Sequence, residues 1–269
     1  MKKFIDIHNH IIYNFDDGPE SFEVTKKMLK LAERQNIRHI FATSHFDEYT
    51  SPGKLADYYD KFNIIKTFIQ EEGLDVVIHP GAEVYYHDYM VDTIVQYKNY
   101  FLGESRPFVL FEFPMFQPSV NLDIIFKLRL SGVRPIVAHP ERYISVMENP
   151  SLIDEFIKLG ALIQINAGSI LGNFGNKIKK IAQDLIEVGK VHFIASDAHG
   201  YEGRKFALLD AYEYLSKHVN SEHIDKLFFD NPQHILSGKD LKPLVRNEDM
   251  PENSGIVAKL FKKISLKRK

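Results

Sequence analysis

Seven times along this chain a short apolar run reads as a β-strand, and a segment of helical period follows it. That alternation, with strands apolar on both faces, restricts the fold to a parallel α/β architecture. The strands are read at residues 4–8, 39–45, 75–83, 108–112, 134–139, 161–166 and 191–197. Helices are expected from Pro19, placed at the first helical position, to about Gln35, and then over 55–69 with a stop at Gly73. Further helices are expected around 89–97 and over 119–131, 150–159, 176–188, 204–217 and 221–229. Seven units rather than eight predict a distorted (β/α)7 TIM-like barrel occupying residues 1–240 as one domain. Residues 241–255 then read as a polar, helix-breaking linker. Residues 256–269 carry six Lys or Arg and no acid. Ile256, Val257, Leu260, Phe261 and Ile264 fall on one helical face, so this basic amphipathic tail is suited to an anionic membrane, to a partner, or to packing back on its own barrel.

The polar residues of the strands are placed unevenly. Strand cores are apolar, and the polar residue repeatedly comes last: His8-Asn9-His10, His45, Glu83, Glu112, His139, and Asp197 with His199 just beyond. In α/β barrels the C-terminal strand ends converge on one face, where active sites form. The fold alone therefore gathers five His and three carboxylates in one mouth. Taken singly, a strand-end His is usually a hydrogen-bonded structural residue. The set is harder to explain that way, because a carboxylate buried after an apolar strand costs several kcal/mol unless it is paired or metal-bound. His8 and His10, two apart on a strand, share a face and can reach one ion.

Composition narrows the chemistry. The 269 residues include no Cys, which excludes disulfides, thiolate zinc, iron–sulfur clusters and Cys-nucleophile mechanisms, Cys-dependent tyrosine phosphatases among them. With 12 His available, a transition-metal site must be built from imidazole and carboxylate, a donor set suited to Mn²⁺, Fe or Zn²⁺. Eight ligands exceed what one ion takes. They imply a cluster of two or three ions, which binds phosphate oxygens, lowers the pKa of bound water and stabilises in-line displacement. Arg142 and Arg204 lie just past strand ends, where a forked guanidinium can hold phosphate; a surface ion pair of Arg142 with Glu141 or Glu148 is the plainer alternative. Asp16-Asp17-Gly18-Pro19 reads as a turn, from which one Asp can also face the mouth. Tyr49, Tyr85, Tyr86 and Phe116 lie past strand ends, where they either line a phenol-sized pocket or pack locally.

Together these residues carry a resemblance. His8-Asn9-His10, Asp16-Asp17-Gly18-Pro19, Thr43-Ser44-His45, Gly81-Ala82-Glu83, Phe111-Glu112, Ala138-His139-Pro140-Glu141-Arg142-Tyr143 and Ser196-Asp197-Ala198-His199 resemble the polymerase and histidinol phosphatase (PHP) superfamily. More closely, they are similar to its bacterial protein-tyrosine phosphatases of capsule and exopolysaccharide operons. The resemblance covers about residues 4–237 and says nothing of the tail. It implies a PHP barrel with a trinuclear site, commonly manganese or iron. The first ion would be held by His8, His10, Glu83 and Asp197. Glu83 would bridge to a second held by Glu112 and His139, and a third would use Asp17, His45 and His199. Asp17 is preferred over Asp16 because it directly precedes the Gly-Pro. Arg142 and Arg204 would hold the phosphate, and Asp17 or His199 would assist the departing tyrosine. The implied substrate is phosphotyrosine on the tail of a membrane-linked tyrosine autokinase that controls polysaccharide assembly.

Three other readings compete. One is a small-molecule phosphatase acting on histidinol phosphate or a sugar phosphate. Another is a non-catalytic phosphotyrosine-binding regulator. The third, a nuclease, is disfavoured by the formal charge of −2 and the lack of a basic stripe near the motifs. Asp6 and His8 interrupt the apolar stretch after Met1-Lys2-Lys3, so no signal peptide and a cytoplasmic location are expected.

Overall fold

The computed structural model describes residues 3–102 and 108–241; the expected basic tail and residues 242–255 of the linker lie outside the described residues. Among the described residues there are nine strands: β1 (Phe4–Asn9), β2 (Ile37–Ala42), β3 (His45–Phe46), β4 (Val77–Pro80), β5 (Glu83–Tyr85), β6 (Phe108–Glu112), β7 (Arg134–Val137), β8 (Leu162–Asn166) and β9 (Phe193–Ala195). They form two sheets, ordered β1-β2-β4 and β3-β5-β6-β7-β8-β9, and every pairing between named strands is parallel. Two of the seven predicted strands are interrupted. The second breaks at Thr43-Ser44 and the third at Gly81-Ala82, so that His45 and Glu83 each open a short strand rather than close a long one.

The breaks come from contacts distant in sequence. Thr43 and Ser44 turn their backbone to other partners: Thr43 N donates to Asn9 O and Glu83 N donates to Ser44 O. At Gly81 a Cβ would stand 2.5 Å from the Leu102 Cδ2, so a larger residue would have to displace the Leu102 side chain. On the other side, Asp197 N donates to His8 O and His10 N to Ala198 O, both at 2.8 Å, tying the segment after β9 to the end of β1.

β1, β6, β8 and β9 are buried at every residue, but alternate residues join different clusters. Phe108 and Leu110, Ile136 and Ala138, Leu162, Phe193 and Ala195 share one apolar cluster, which Ile235 and Leu241 join. Their neighbours Val109, Phe111, Val137, Ile163, Ile165 and Ile194 belong to a larger cluster with helix residues such as Met28, Ile65 and Phe156. Period-two alternation thus gives each strand one face toward the helices and one toward the other strands. Each fully buried Ile, Leu or Phe in these layers contributes about 1.5–3 kcal/mol.

The helices are α1 (Phe22–Arg34), α2 (Pro52–Glu71), α3 (Met90–Gln96), α4 (Asp123–Leu130), α5 (Ile144–Glu148), α6 (Leu152–Lys158), α7 (Ala167–Leu171), α8 (Asn176–Glu187), α9 (Leu208–Leu215), α10 (Ser221–Asp225) and α11 (Asn231–Ser237). The first begins three residues later than expected. Pro19 sits in a turn whose carbonyl accepts from Asn14 N, and Ser21 is the N-cap. The helix expected at 221–229 is present as α10 followed by a wider π turn at Lys226–Asp230, and α11 continues beyond it over residues outside the expected helix. The short α5 and α7 were not anticipated from periodicity. Among the described residues no helix is long and apolar enough to cross a membrane.

Candidate metal centre

His8 and His10 stand at the end of β1, and Glu112 ends β6. His139 lies two residues past β7, and Asp197 two past β9. Both of these last residues adopt left-handed backbone, with φ of 33° and 52°. The turn redirects His139, whose position two past Val137 would otherwise place it on the helix-facing side. Such conformations are uncommon outside glycine and cost roughly 1–2 kcal/mol each.

The nine expected metal ligands fall into four groups, within each of which the donor atoms lie within 4.8 Å of one another. These are His10, Asp17, His45 and His199; His8, His10 and Asp197; His8, Glu83 and His139; and His45, Glu83 and Glu112. Glu83 is the hub. Its Oε2 is 3.1 Å from His8 Nε2, 3.2 Å from His10 Nε2 and 3.3 Å from His45 Nδ1, and its Oε1 is 3.0 Å from His139 Nε2. His10 joins the group of Asp17, His45 and His199 as well as that of His8, a wider connection than the ligand partition implied by the resemblance.

The donor set fits metal ions. His8 Nε2, His10 Nε2 and His45 Nδ1 are buried and make no hydrogen bond, although each faces carboxylate oxygens. Leaving such atoms unsatisfied costs about 1–3 kcal/mol apiece, which a coordinated cation removes. The opposite nitrogens of two of these rings are held: His8 Nδ1 lies 2.9 Å from Gln164 Oε1, and His10 Nδ1 lies 2.9 Å from Asp16 Oδ2. Orienting partners of this kind are what ligating histidines require.

The carboxylates respond oppositely to one another. Burial, reinforced by the charges of Glu83 and Asp197, pushes Glu112 up to about 9. Burial also opposes ionisation of Glu83, but His8, His45, His10 and His139 outweigh it and hold that carboxyl well below its ordinary value. Asp197 is held down too: His8 and Arg204 outweigh the burial that would raise it. Three acids this close cannot all ionise without added positive charge.

The acidic turn divides its labour. Asp16 is nearly buried; its Oδ2 accepts from His45 N at 2.9 Å and its Oδ1 from Gly18 N at 3.0 Å. Asp17 faces the cluster, with Oδ1 3.3 Å from His199 Nε2 and 3.5 Å from His45 Nε2. A Cβ on Gly18 would meet His10 O at 2.4 Å, so this tight approach needs glycine.

Both arginines converge on one oxygen. Arg142 Nη1 and Arg204 Nη2 donate to Asp197 Oδ2, at 3.1 and 2.6 Å. The Arg142 guanidinium also stacks 4.5 Å over the Phe174 ring. The aromatic rim is less defined: Tyr49 is 79% exposed and Phe116 81%. Tyr86 N donates to Glu112 O, while its hydroxyl donates to Asp88 and accepts from Asn121.

A family model described as "Capsular polysaccharide synthesis, CpsB/CapC" matches residues 4–237. This chain belongs to the CpsB/CapC family. It is 34% identical over 224 residues to the tyrosine-protein phosphatase YwqE of Bacillus subtilis, a match covering 81% of this chain and 86% of that one. It is 32% identical to the tyrosine-protein phosphatase CpsB of Streptococcus pneumoniae, covering 86% of this chain and 98% of that one. Among solved structures, one of YwqE from Bacillus subtilis and CpsB from Streptococcus pneumoniae, described as unique metal-dependent tyrosine phosphatases, superposes with a TM-score of 0.79 at 31% identity, over 89% of this chain and 98% of that one. A phosphotriesterase homology protein from Escherichia coli shares the fold at a TM-score of 0.56 and 13% identity, covering 86% of this chain and 98% of that one.

Gln164, Asn166 and Phe174 escaped the sequence reading. Gln164 and Asn166 are the polar pair on the otherwise apolar β8, two residues apart, and that spacing on one face was the available signal.

Proposed function

We propose that this CpsB/CapC member is a metal-dependent protein-tyrosine phosphatase acting on a phosphotyrosine protein, a membrane-linked bacterial tyrosine kinase of capsule or exopolysaccharide synthesis being the partner. The observation that carries this reading is the convergence of five buried or half-buried imidazoles on three carboxylates, with two guanidinium groups at the same edge. We read the strands as one distorted seven-stranded PHP barrel over residues 1–240, placed in the cytoplasm. His8, His10, Glu83 and Asp197 would hold one ion; Glu83, with Glu112 and His139, would also serve a second; Asp17, His45 and His199 would hold a third. Mn²⁺ or Fe suits these donors, and Zn²⁺ is also compatible. Bound cations of this kind supply Lewis-acid stabilisation of phosphoryl oxygens and an activated water at neutral pH.

The protein's own groups do the rest. Arg142 and Arg204, anchored on Asp197 and with guanidinium donors left over, present forked positive charge to the equatorial phosphate oxygens, where charge gathers in the transition state. Asp17 and His199, 3.3 Å apart, sit where a proton can be held for the departing tyrosine oxygen. Phenolate leaves readily, so little general-acid help is needed. Tyr49 and Tyr86, on the loops after β3 and β5, are proposed to flank the phenol ring.

His139→Ala tests the assignment. Hydrolysis of p-nitrophenyl phosphate and of a phosphotyrosine peptide should fall at least 100-fold, with the melting curve still cooperative, about the scale lost when a metal's support is removed. Near-normal turnover by the folded variant would sink the metal-centred reading. Faster hydrolysis of histidinol phosphate than of the peptide by the unmodified protein would move the substrate class to small molecules.

A further inference from the structure

β8 supplies none of the proposed metal ligands, yet it carries two buried polar side chains aimed at them. Asn166 Nδ2 lies 2.6 Å from Asp197 Oδ2, Gln164 Nε2 lies 2.9 Å from Asn166 Oδ1, and Gln164 Oε1 lies 2.9 Å from His8 Nδ1. All four residues are buried. An amide's oxygen and nitrogen are told apart by their neighbours, and here one end of the chain settles every step. Asp197 Oδ2 receives Arg142, Arg204 and Asn166 together, so it is an ionised acceptor. Asn166 must therefore turn its NH₂ to Asp197 and its oxygen to Gln164. Gln164 then donates to Asn166 and offers its own oxygen to His8. His8 is left with a proton on Nδ1, so Nε2, 3.1 and 3.4 Å from Glu83 and Asp197 Oδ1, is the nitrogen left to ligate an ion.

We infer that Gln164 and Asn166 form a one-way amide relay that fixes the metal-binding tautomer of His8 and, at its other end, reserves Asp197 Oδ2 for anchoring so that Oδ1 is the ligating oxygen. They are positioning residues, and the inference rests on the metal centre proposed above. The relay is held from behind: Asn166 N donates to Glu141 Oε1 at 3.0 Å, and Ser169 Oγ donates to the same oxygen at 2.7 Å. That contact fixes the backbone from which the Asn166 side chain projects. The relay links two residues of one donor group through protein alone, so their geometry is set before an ion arrives, which is how supporting hydrogen bonds tune a site.

The test is Mn²⁺ titration by calorimetry on the full metal-stripped chain, with melting curves of the same samples. Gln164→Met, an apolar side chain of similar length, and Asn166→Ala are each expected to weaken Mn²⁺ binding about 10–100-fold. Because both break one chain, the double variant should fall within about threefold of the weaker single variant rather than at the product of the two losses. Gln164→Glu keeps an acceptor for His8 Nδ1 and should bind more tightly than Gln164→Met. Wild-type affinity in either folded single variant, losses that multiply, or a Glu variant no better than Met overturns the relay. If Gln164→Met does not fold, Asn166→Ala and Gln164→Glu decide alone: the relay requires at least a tenfold loss in the first and a smaller loss in the second. A wild-type chain that takes up no Mn²⁺, Fe²⁺ or Zn²⁺ fails differently, overturning the metal centre itself.

Discussion

His8 and His192 are both buried beside the sheet and meet opposite fates, because their surroundings differ. His8 sits at the C-terminal end of β1 among acids. His192 stands just before β9, with its Nδ1 accepting the Ile163 N–H at 2.9 Å, and it is one of the seven histidines given no metal role from sequence. Burial pushes it down to about 3 from the ordinary 6.5, helped by the charge of Arg134. The native state therefore keeps His192 neutral while the unfolded chain protonates it near 6.5. Between those values the unfolded state binds the extra proton, so stability is full above 6.5 and drains away as the pH falls, by up to about 1.4 kcal/mol per pH unit. Going from pH 7 to pH 5, the wild type should lose about 2 kcal/mol more in urea unfolding than His192→Gln, which has no such proton to gain. Parallel losses in the two chains would show that this histidine does not control the slope.

At the scale of elements, the sequence was most legible where an apolar run met few competing signals. β6 covers the residues expected of it, and Gly132, Gly160 and Gly189, each at positive φ, end their helices or the turns that follow. Boundaries went astray where two local rules competed. Pro19 is well suited to a first helical turn, but the acidic turn before it needs the Pro19 carbonyl for Asn14, and the helix waits for Ser21, whose hydroxyl accepts from Val24 N. The second and third strands read as continuous because their breaks involve residues, such as Thr43 and Ala82, that belong equally well inside a strand; the cause, a long-range backbone pairing with β1 and the crowding beneath Gly81, has no local signature. If Ser21 is what starts α1, Ser21→Ala should cost about 1 kcal/mol. For a chain of this size that lowers the melting temperature by roughly 2–4 °C. Hydrolysis should stay within twofold of wild type, since the residues α1 buries, Thr25, Met28, Leu29 and Ala32, include no proposed metal ligand or phosphate contact. A change in melting below 1 °C would return the helix start to Pro19.

For the whole molecule, the division between layers decides what metal does to stability. The apolar clusters lie below and around the strand ends, and the titratable cluster sits above them, so folding does not require the ions to hold the core together. The clustering of ligands was readable because a barrel-like fold converts the sequence rule of a polar residue last on each strand into proximity. The supporting residues were not, since Gln164 and Asn166 acquire meaning only when Asp197 and His8 are brought beside them. In the stripped protein the acids must share limited positive charge, which is why Glu112 is pushed up to about 9 by burial together with Glu83 and Asp197. Cations relieve that repulsion and bind only the native arrangement, so they should stabilise by mass action. With free Mn²⁺ at one hundred times its dissociation constant, the gain is about 2.7 kcal/mol for a single site, or roughly 5–11 °C in melting temperature. The chelated chain should still melt cooperatively, at the lower temperature and without phosphatase activity, and both should return on adding the ion. A melting temperature indifferent to Mn²⁺, Fe²⁺ and Zn²⁺ would mean that the ligands are satisfied by their hydrogen bonds alone, whereas loss of cooperative melting on chelation would mean that the metal layer, and not the apolar clusters, holds the strand ends in place.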